Sequence, residues 1–252
     1  MKTARFTFRD ELLDFIATRE TISHSFRGSP SVKDVIEALG VPHVEVGKIL
    51  LTRCGSQKAV SWDLKLEVGD EFEVEDLLSQ KVPDFQPELR PELGLMGELR
   101  LVLDGHLGRL AAYLRLLGID THWHQHADDP DLAEISAREN RILLTRDIGL
   151  LKRTRVVHGR WVRATDPKLQ VTEVFEHFAL LRQQVRPFTR CLSCNGLLTE
   201  VPKKSIEHLL LPQTRVHYEE FFQCQSCRRV YWKGPHFEKM QELISSLGHS
   251  WA

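Results

Sequence analysis

The stretch ELRLVLDGHLGRLAAYLRLLGID, residues 98–120, decides how the rest of the chain reads. Leu99, Leu101 and Leu103 alternate with Arg100 and Val102 as a short strand. Leu107, Leu110, Leu114 and Leu117 then recur at helical spacing until Gly118 can close the helix. Asp104 therefore stands where an apolar strand gives out. In open α/β sheets ligands bind at the carboxyl ends of the strands, because the strand fixes the backbone while the following loop opens to solvent. On that ground Asp104 is a candidate site residue.

The pattern returns in RILLTRDIGLL, residues 141–151, where Ile142, Leu143 and Leu144 form a second buried strand running into Asp147. Between the two lies HADDPDLAEISAREN, with Asp128, Asp129 and Asp131 at the start of a helix whose apolar side carries Leu132, Ala133 and Ile135. Short right-handed crossovers in a βαβαβ order bring such strand ends side by side. Clustered carboxylates repel one another unless a cation sits between them, and hard divalent ions, Mg²⁺ or Mn²⁺, suit all-oxygen ligands. Asp129-Pro130 also fits an N-cap followed by proline in the first helical turn, with Asn140 as the stop, and an N-cap needs no metal. Both roles stay open for Asp129.

Of five cysteines, four form two CxxC pairs, Cys191 with Cys194 and Cys224 with Cys227, separated by 29 residues; Cys54 stands alone. Each pair can wrap one side of a tetrahedral Zn²⁺, and four thiolates leave no position for water, so this zinc is structural. The spacer KKSIEHLLLPQTRVHYEEF is expected to form extra strands or a hairpin excursion. After it, Arg228, Arg229 and Lys233 flank Tyr231 and Trp232, a basic and aromatic mixture suited to RNA or, equally, a small domain's own apolar cover.

The remaining chain divides by pattern. Residues 1–78 read as strands ARFTFR and TISHSF, a helix SVKDVIEALG started by Ser31 and closed by Gly40, then strands KILLT and GDEFEVE, a ββαββ order that fits a β-grasp domain. Pro83, Pro87 and Pro91 make 79–97 a linker. An α/β domain with a parallel sheet follows over 98–184, and a zinc ribbon over 185–252. Residues 138–163 hold eight Lys or Arg against Glu139 and Asp147, which would draw a polyanion towards one end of the sheet. Lys152, Arg153, Arg155, Arg160 and Arg163 could hold phosphates; Trp161 reads as core packing. His106, His122, His124 and His126 read as a half-exposed strand or loop. MKTARFTFRDELL has no apolar run, so no signal peptide is expected; no window reaches the length of a membrane span, and paired thiols without a secretion signal point to the cytoplasm.

LDGHLGRLAAYLRLLGID, the acidic helix start, LLTRD and the CxxC…CxxC ending in CRRVYWKGPH together resemble the RNase family named after the carboxy-terminal region of the mut-seven exonuclease. That is a PIN-like nuclease with an attached zinc ribbon; the N-terminal part is similar to the ubiquitin-like domain that bacterial members carry. The resemblance implies metal-dependent cleavage of RNA phosphodiester bonds, with Mg²⁺ or Mn²⁺ on Asp104, an acid of the 128–131 group and Asp147. In PIN domains a helix carboxylate often precedes the TRD aspartate by eighteen residues, which selects Asp129, with Asp131 second. Arg109, Lys152, Arg153, Arg155, Arg228, Arg229, Trp232 and Lys233 are the expected contacts to single-stranded RNA, and the β-grasp domain is expected to dock a protein partner or to stabilise the nuclease. The other reading is an RNA-binding adaptor without catalysis. A sulfur carrier is disfavoured because no Gly-Gly terminus follows the β-grasp pattern.

Overall fold

The computed structural model describes residues 2–17, 20–77 and 98–248; the proline-rich stretch 79–97 lies outside the described residues. The chain divides into two compact units, residues 1–84 with 147–161, and residues 85–146 with 162–252.

The first unit begins with β1 (Lys2–Phe8), paired antiparallel to β2 (Thr21–Phe26). Ala4, Phe6 and Phe8 alternate inward along β1, as a strand of period two dictates. Ser31 starts α1 (Val32–Ala38) with a reciprocal capping box: its hydroxyl accepts from the Asp34 amide at 3.2 Å, and the Asp34 carboxylate accepts from the Ser31 amide at 3.1 Å. Strand β3 (Val46–Arg53) then turns through Cys54 and Gly55, both at positive φ, into β4 (Ser56–Ala59). All four residues of β4 are exposed, so no apolar alternation marks it in the sequence. Strand β5 (Glu71–Asp76) enters between its neighbours, parallel to β1 and antiparallel to β3, completing the order β2-β1-β5-β3-β4. This is the β-grasp sheet. Phe6 stacks on Phe72 at 4.8 Å beneath Val32, Val35 and Ile36 of α1, and each fully buried phenyl ring contributes about 1.5–3 kcal/mol.

In the second unit β6 (Leu101–Leu103) lies between two parallel partners, β7 (Thr121–Trp123) and β8 (Ile142–Thr145), with Leu103 opposite both Trp123 and Leu144. All three residues of β6 are fully buried, Val102 included, because helices cover both faces of a parallel sheet. The crossovers are α2 (Gly108–Leu116), after a 3-10 turn at Gly105–Leu107, and α3 (Asp129–Glu139), stopped by Asn140 in the left-handed conformation. Gly118 ends α2 at φ +86°, where a Cβ would meet the Arg186 carbonyl oxygen at 2.1 Å.

Residues 147–161 return to the first unit, carrying α4 (Ile148–Leu151) and β9 (Gly159–Trp161). The second unit closes over that departure: the Arg146 guanidinium donates to the carbonyls of Val162, Arg163 and Ala164 at 3.0, 2.7 and 2.7 Å. Asp166 caps α5 (Pro167–His177), which sets Val171, Val174 and Phe175 into one core with Leu110 and Leu114. The cysteine-bearing end is an antiparallel sheet of β10 (Leu198–Val201), β11 (Phe221–Cys224) and β12 (Val230–Trp232), followed by α8 (Pro235–Gly248). Between β10 and β11, residues 203–217 are helical where extra strands or a hairpin excursion are expected: α6 (Lys203–Ile206) and α7 (Pro212–His217), the latter with Pro212 in its first turn, where no amide is needed. Among the described residues no helix is long and apolar enough to cross a membrane.

Candidate active site and metal centre

Asp104 leaves the carboxyl end of β6 half-buried. Its amide donates to Leu144 O of β8 at 3.1 Å, and its Oδ2 accepts from the Thr145 hydroxyl at 2.8 Å. Parallel pairing thus supplies the neighbour that orients the carboxylate, and Thr145, fully buried, is a residue that sequence reading missed. Asp147 follows two residues beyond β8; it is exposed and accepts from the Gly149 amide at 2.7 Å as the cap of α4.

The acidic helix start corrects one expectation. Asp128, not Asp129, is the N-cap of α3, accepting from the Asp131 amide at 3.2 Å. Asp129 holds the first helical position and Asp131 the third, one turn that a cation or the helix dipole favours alike. The histidine run splits, since β7 ends at Trp123 and leaves His124 and His126 exposed in the following turn.

Among the described residues, the four cysteines are the one group of three or more possible ligands whose donor atoms all lie within 4.8 Å of one another; the carboxylates form no such ready-made group. The sulfurs of Cys191 and Cys227 are 3.6 Å apart and those of Cys194 and Cys224 3.4 Å apart. A tetrahedral Zn²⁺ with bonds of about 2.3 Å sets sulfurs about 3.8 Å apart, so the residues fit that ion. Burial opposes ionisation of Cys191, but the Tyr231 hydroxyl, donating at 3.1 Å, and the amides of Cys194 and Ser193 pull its pKa down to about 6. Thiolate is the form that binds zinc.

A hydrogen-bonded seam joins this centre to the parallel sheet. Buried Arg115 donates to the carbonyls of Leu192 and Ser193, both at 3.0 Å, and to that of Thr121 at 3.0 Å. Asn195, next to Cys194, accepts from the Thr121 amide at 3.0 Å and donates to Asp120 at 2.8 Å; Arg141 donates to the same carboxylate at 2.7 Å. Sequence reading singled out neither Arg115 nor Asn195, because their partners across the seam lie 74 to 78 residues away.

The cationic candidates are spread. Arg109 is exposed in the first turn of α2, and Arg153 and Arg155 are exposed after α4. Lys152 donates to the Glu37 carbonyl at 2.8 Å. Arg160 is buried and paired with Glu45 and Glu11, which corrects its reading as a phosphate contact. Trp161 packs on Phe15 with ring centroids 5.1 Å apart, in keeping with its reading as core. Trp232 is 37% exposed and lines two hollows, one of about 310 Å³ with Phe188, Arg190 and Lys233, the other of about 290 Å³ with Arg228 and Arg229. Lys233 pairs with Glu220.

A β-grasp sheet, a parallel sheet edged by aspartates and a four-cysteine ribbon make up the described chain, and the family matches give its class, a nuclease-type protein with a ubiquitin-like domain. The Mut7-C RNAse domain family matches residues 99–244, and the Mut7-C ubiquitin family matches residues 1–79. The chain belongs to the Mut7-C RNAse domain family, with the family's ubiquitin-like domain in front. No curated protein and no solved structure matches it.

Proposed function

We propose that the protein is a metal-dependent ribonuclease that hydrolyses phosphodiester bonds of single-stranded RNA in the cytoplasm, with Asp104, Asp129 and Asp147 as ligands of Mg²⁺ or Mn²⁺ and Asp131 as the alternative to Asp129. The observation that carries this reading is Asp104 at the end of β6, oriented by Thr145 of the adjacent parallel strand at 2.8 Å, in a chain that matches an RNase family. When bound, such an ion supplies positive charge at the scissile phosphate and acidifies the attacking water. The protein's own share is to hold carboxylates ready: Thr145 fixes Asp104, the Gly149 amide fixes Asp147, and Asp128 fixes the first turn that carries Asp129 and Asp131. The four cysteines hold a structural Zn²⁺. Arg109, Lys152, Arg153 and Arg155 are proposed to contact phosphates, and Arg228, Arg229 and Lys233 to do so around a base stacked on Trp232.

Asp104→Asn tests this, because an asparagine oxygen still accepts from Thr145 and the fold is kept. Labelled single-stranded RNA with Mn²⁺ should be cut by the unmodified chain and not by D104N. Undiminished cleavage by D104N sinks the assignment. Gel retardation without cleavage by either chain favours the adaptor reading, to which half-exposed Trp232 beside Arg228 and Arg229 lends support.

A further inference from the structure

Residues 147–161, which follow the β8 strand and fall inside the RNase match, belong to the same compact unit as the ubiquitin-like sheet. Four separate ties hold them there. The carboxylate of Glu45, 1% exposed, accepts from the Trp161 amide at 2.6 Å and from Arg160, whose other nitrogen pairs with Glu11. His43 Nε2 donates to the Val156 carbonyl at 2.8 Å. Lys152 Nζ donates to the Glu37 carbonyl at 2.8 Å, and Phe15 packs on Trp161. An Arg160–Glu45 pair out of water is a costly device unless position matters: it is no more stabilising than an apolar pair of the same shape, but it admits one geometry. The donors and acceptors come from the 3-10 turn at Asp10–Phe15, the end of α1 and the turn at His43–Glu45, which meet: His43 contacts Glu37 at 2.6 Å, and the Phe15 carbonyl lies against Gly40 just after α1.

We propose that the ubiquitin-like domain is an intramolecular clamp: its Glu11–Glu37–His43–Glu45 face binds residues 152–161 of its own chain and thereby fixes the loop that begins at Asp147. The clamp rests on the reading of Asp147 as a metal ligand. This face is filled in cis, and the residues that fill it are positioning residues for the metal. Arg160 serves the fold here and Lys152 gives it one of its three donors, whereas Arg153 and Arg155, exposed between them, face outward.

Two full-length variants test it. Glu45→Gln keeps an acceptor for the Trp161 amide and removes the charge that holds Arg160; His43→Ala cuts the tie to Val156 together with the His43–Glu37 contact at 2.6 Å inside the same face. Amide hydrogen exchange is read across the chain, and Mn²⁺ affinity is read directly by calorimetry on zinc-loaded protein. Faster exchange confined to 147–161, with Mn²⁺ affinity about tenfold weaker, is the expected result, since groups that orient a metal ligand typically carry 10–100-fold of the affinity. RNA cleavage should return to the unmodified level at saturating Mn²⁺, which a mere loss of folded protein would not allow. Faster exchange with unchanged Mn²⁺ affinity overturns the clamp, as does unchanged exchange in both variants. An unmodified chain that binds Mn²⁺ but leaves RNA intact overturns the nuclease reading and not the clamp; one that binds no Mn²⁺ overturns both.

Discussion

Asp120 shows how much one carboxylate can organise. Burial disfavours its charge, yet hydrogen bonds from Arg141 and Asn195, with the charge of Arg190, hold its pKa below the ordinary 3.8. A group that binds protons more weakly in the native state than in the unfolded one contributes its full stability above the unfolded value. That contribution fades as pH falls through the lower native value. Asp120→Asn should therefore cost about 3 kcal/mol at pH 7, the size expected when one partner of a buried pair is removed. Urea unfolding should show the gap between the two proteins closing below pH 3.8; a gap that ignores pH would show that packing rather than charge is at stake. At Gly118 the backbone decides instead. A methyl group there meets a carbonyl oxygen at 2.1 Å and a φ of +86°, so Gly118→Ala should lower stability by at least about 1–3 kcal/mol, the cost of a strained conformation alone.

Among the elements, α3 separates capping from chemistry. Asp128→Ala removes the side chain that accepts from Asp131 and should cost about 1 kcal/mol in thermal unfolding with Mn²⁺ affinity unaltered, whereas Asp129→Asn keeps the cap and should weaken Mn²⁺ binding. The reverse result would return the cap to Asp129. Short-range signals made these elements legible: the leucine periods of α2, the capping box of α1, the strand end at Asp104 and the CxxC pairs all act within a few residues. Sequence could not show what partners them from afar. Thr145 reaches Asp104 across 41 residues, Asn195 reaches Asp120 across 75 and Arg160 reaches Glu45 across 115. The cap was misplaced by one residue because Asp128 and Asp129 are the same residue type in succession, and β4 was missed because an exposed edge strand carries no apolar period. Over 203–217, where extra strands or a hairpin excursion are expected, a proline at a helix start and the absence of alternation favour short helices instead.

For the molecule as a whole, the four-cysteine centre and the parallel sheet share hydrogen bonds, so their stabilities are coupled. Arg115 holds the carbonyls of Leu192 and Ser193 in the loop between Cys191 and Cys194 while also holding those of Thr121 and Trp123 on β7. Metal binding at such a site is folding free energy, because the ligands are gathered only in the native state. Removing zinc should therefore loosen the Cys191–Asn195 loop, release Asn195 from the Thr121 amide and unsettle β7, the strand beside β6 that ends at Asp104. Thiolate-competing chelators should lower the unfolding temperature and speed exchange of the Thr121 amide, while a first unit held by its own core keeps its protection. Arg115→Met, with all four sulfurs intact, should retain zinc and yet speed the same amide. If zinc removal leaves Thr121 protected, the seam is dispensable and the ribbon is an independent appendage. If Thr121 opens in both experiments, a metal with no position for water nonetheless governs the sheet edge where RNA cleavage is proposed.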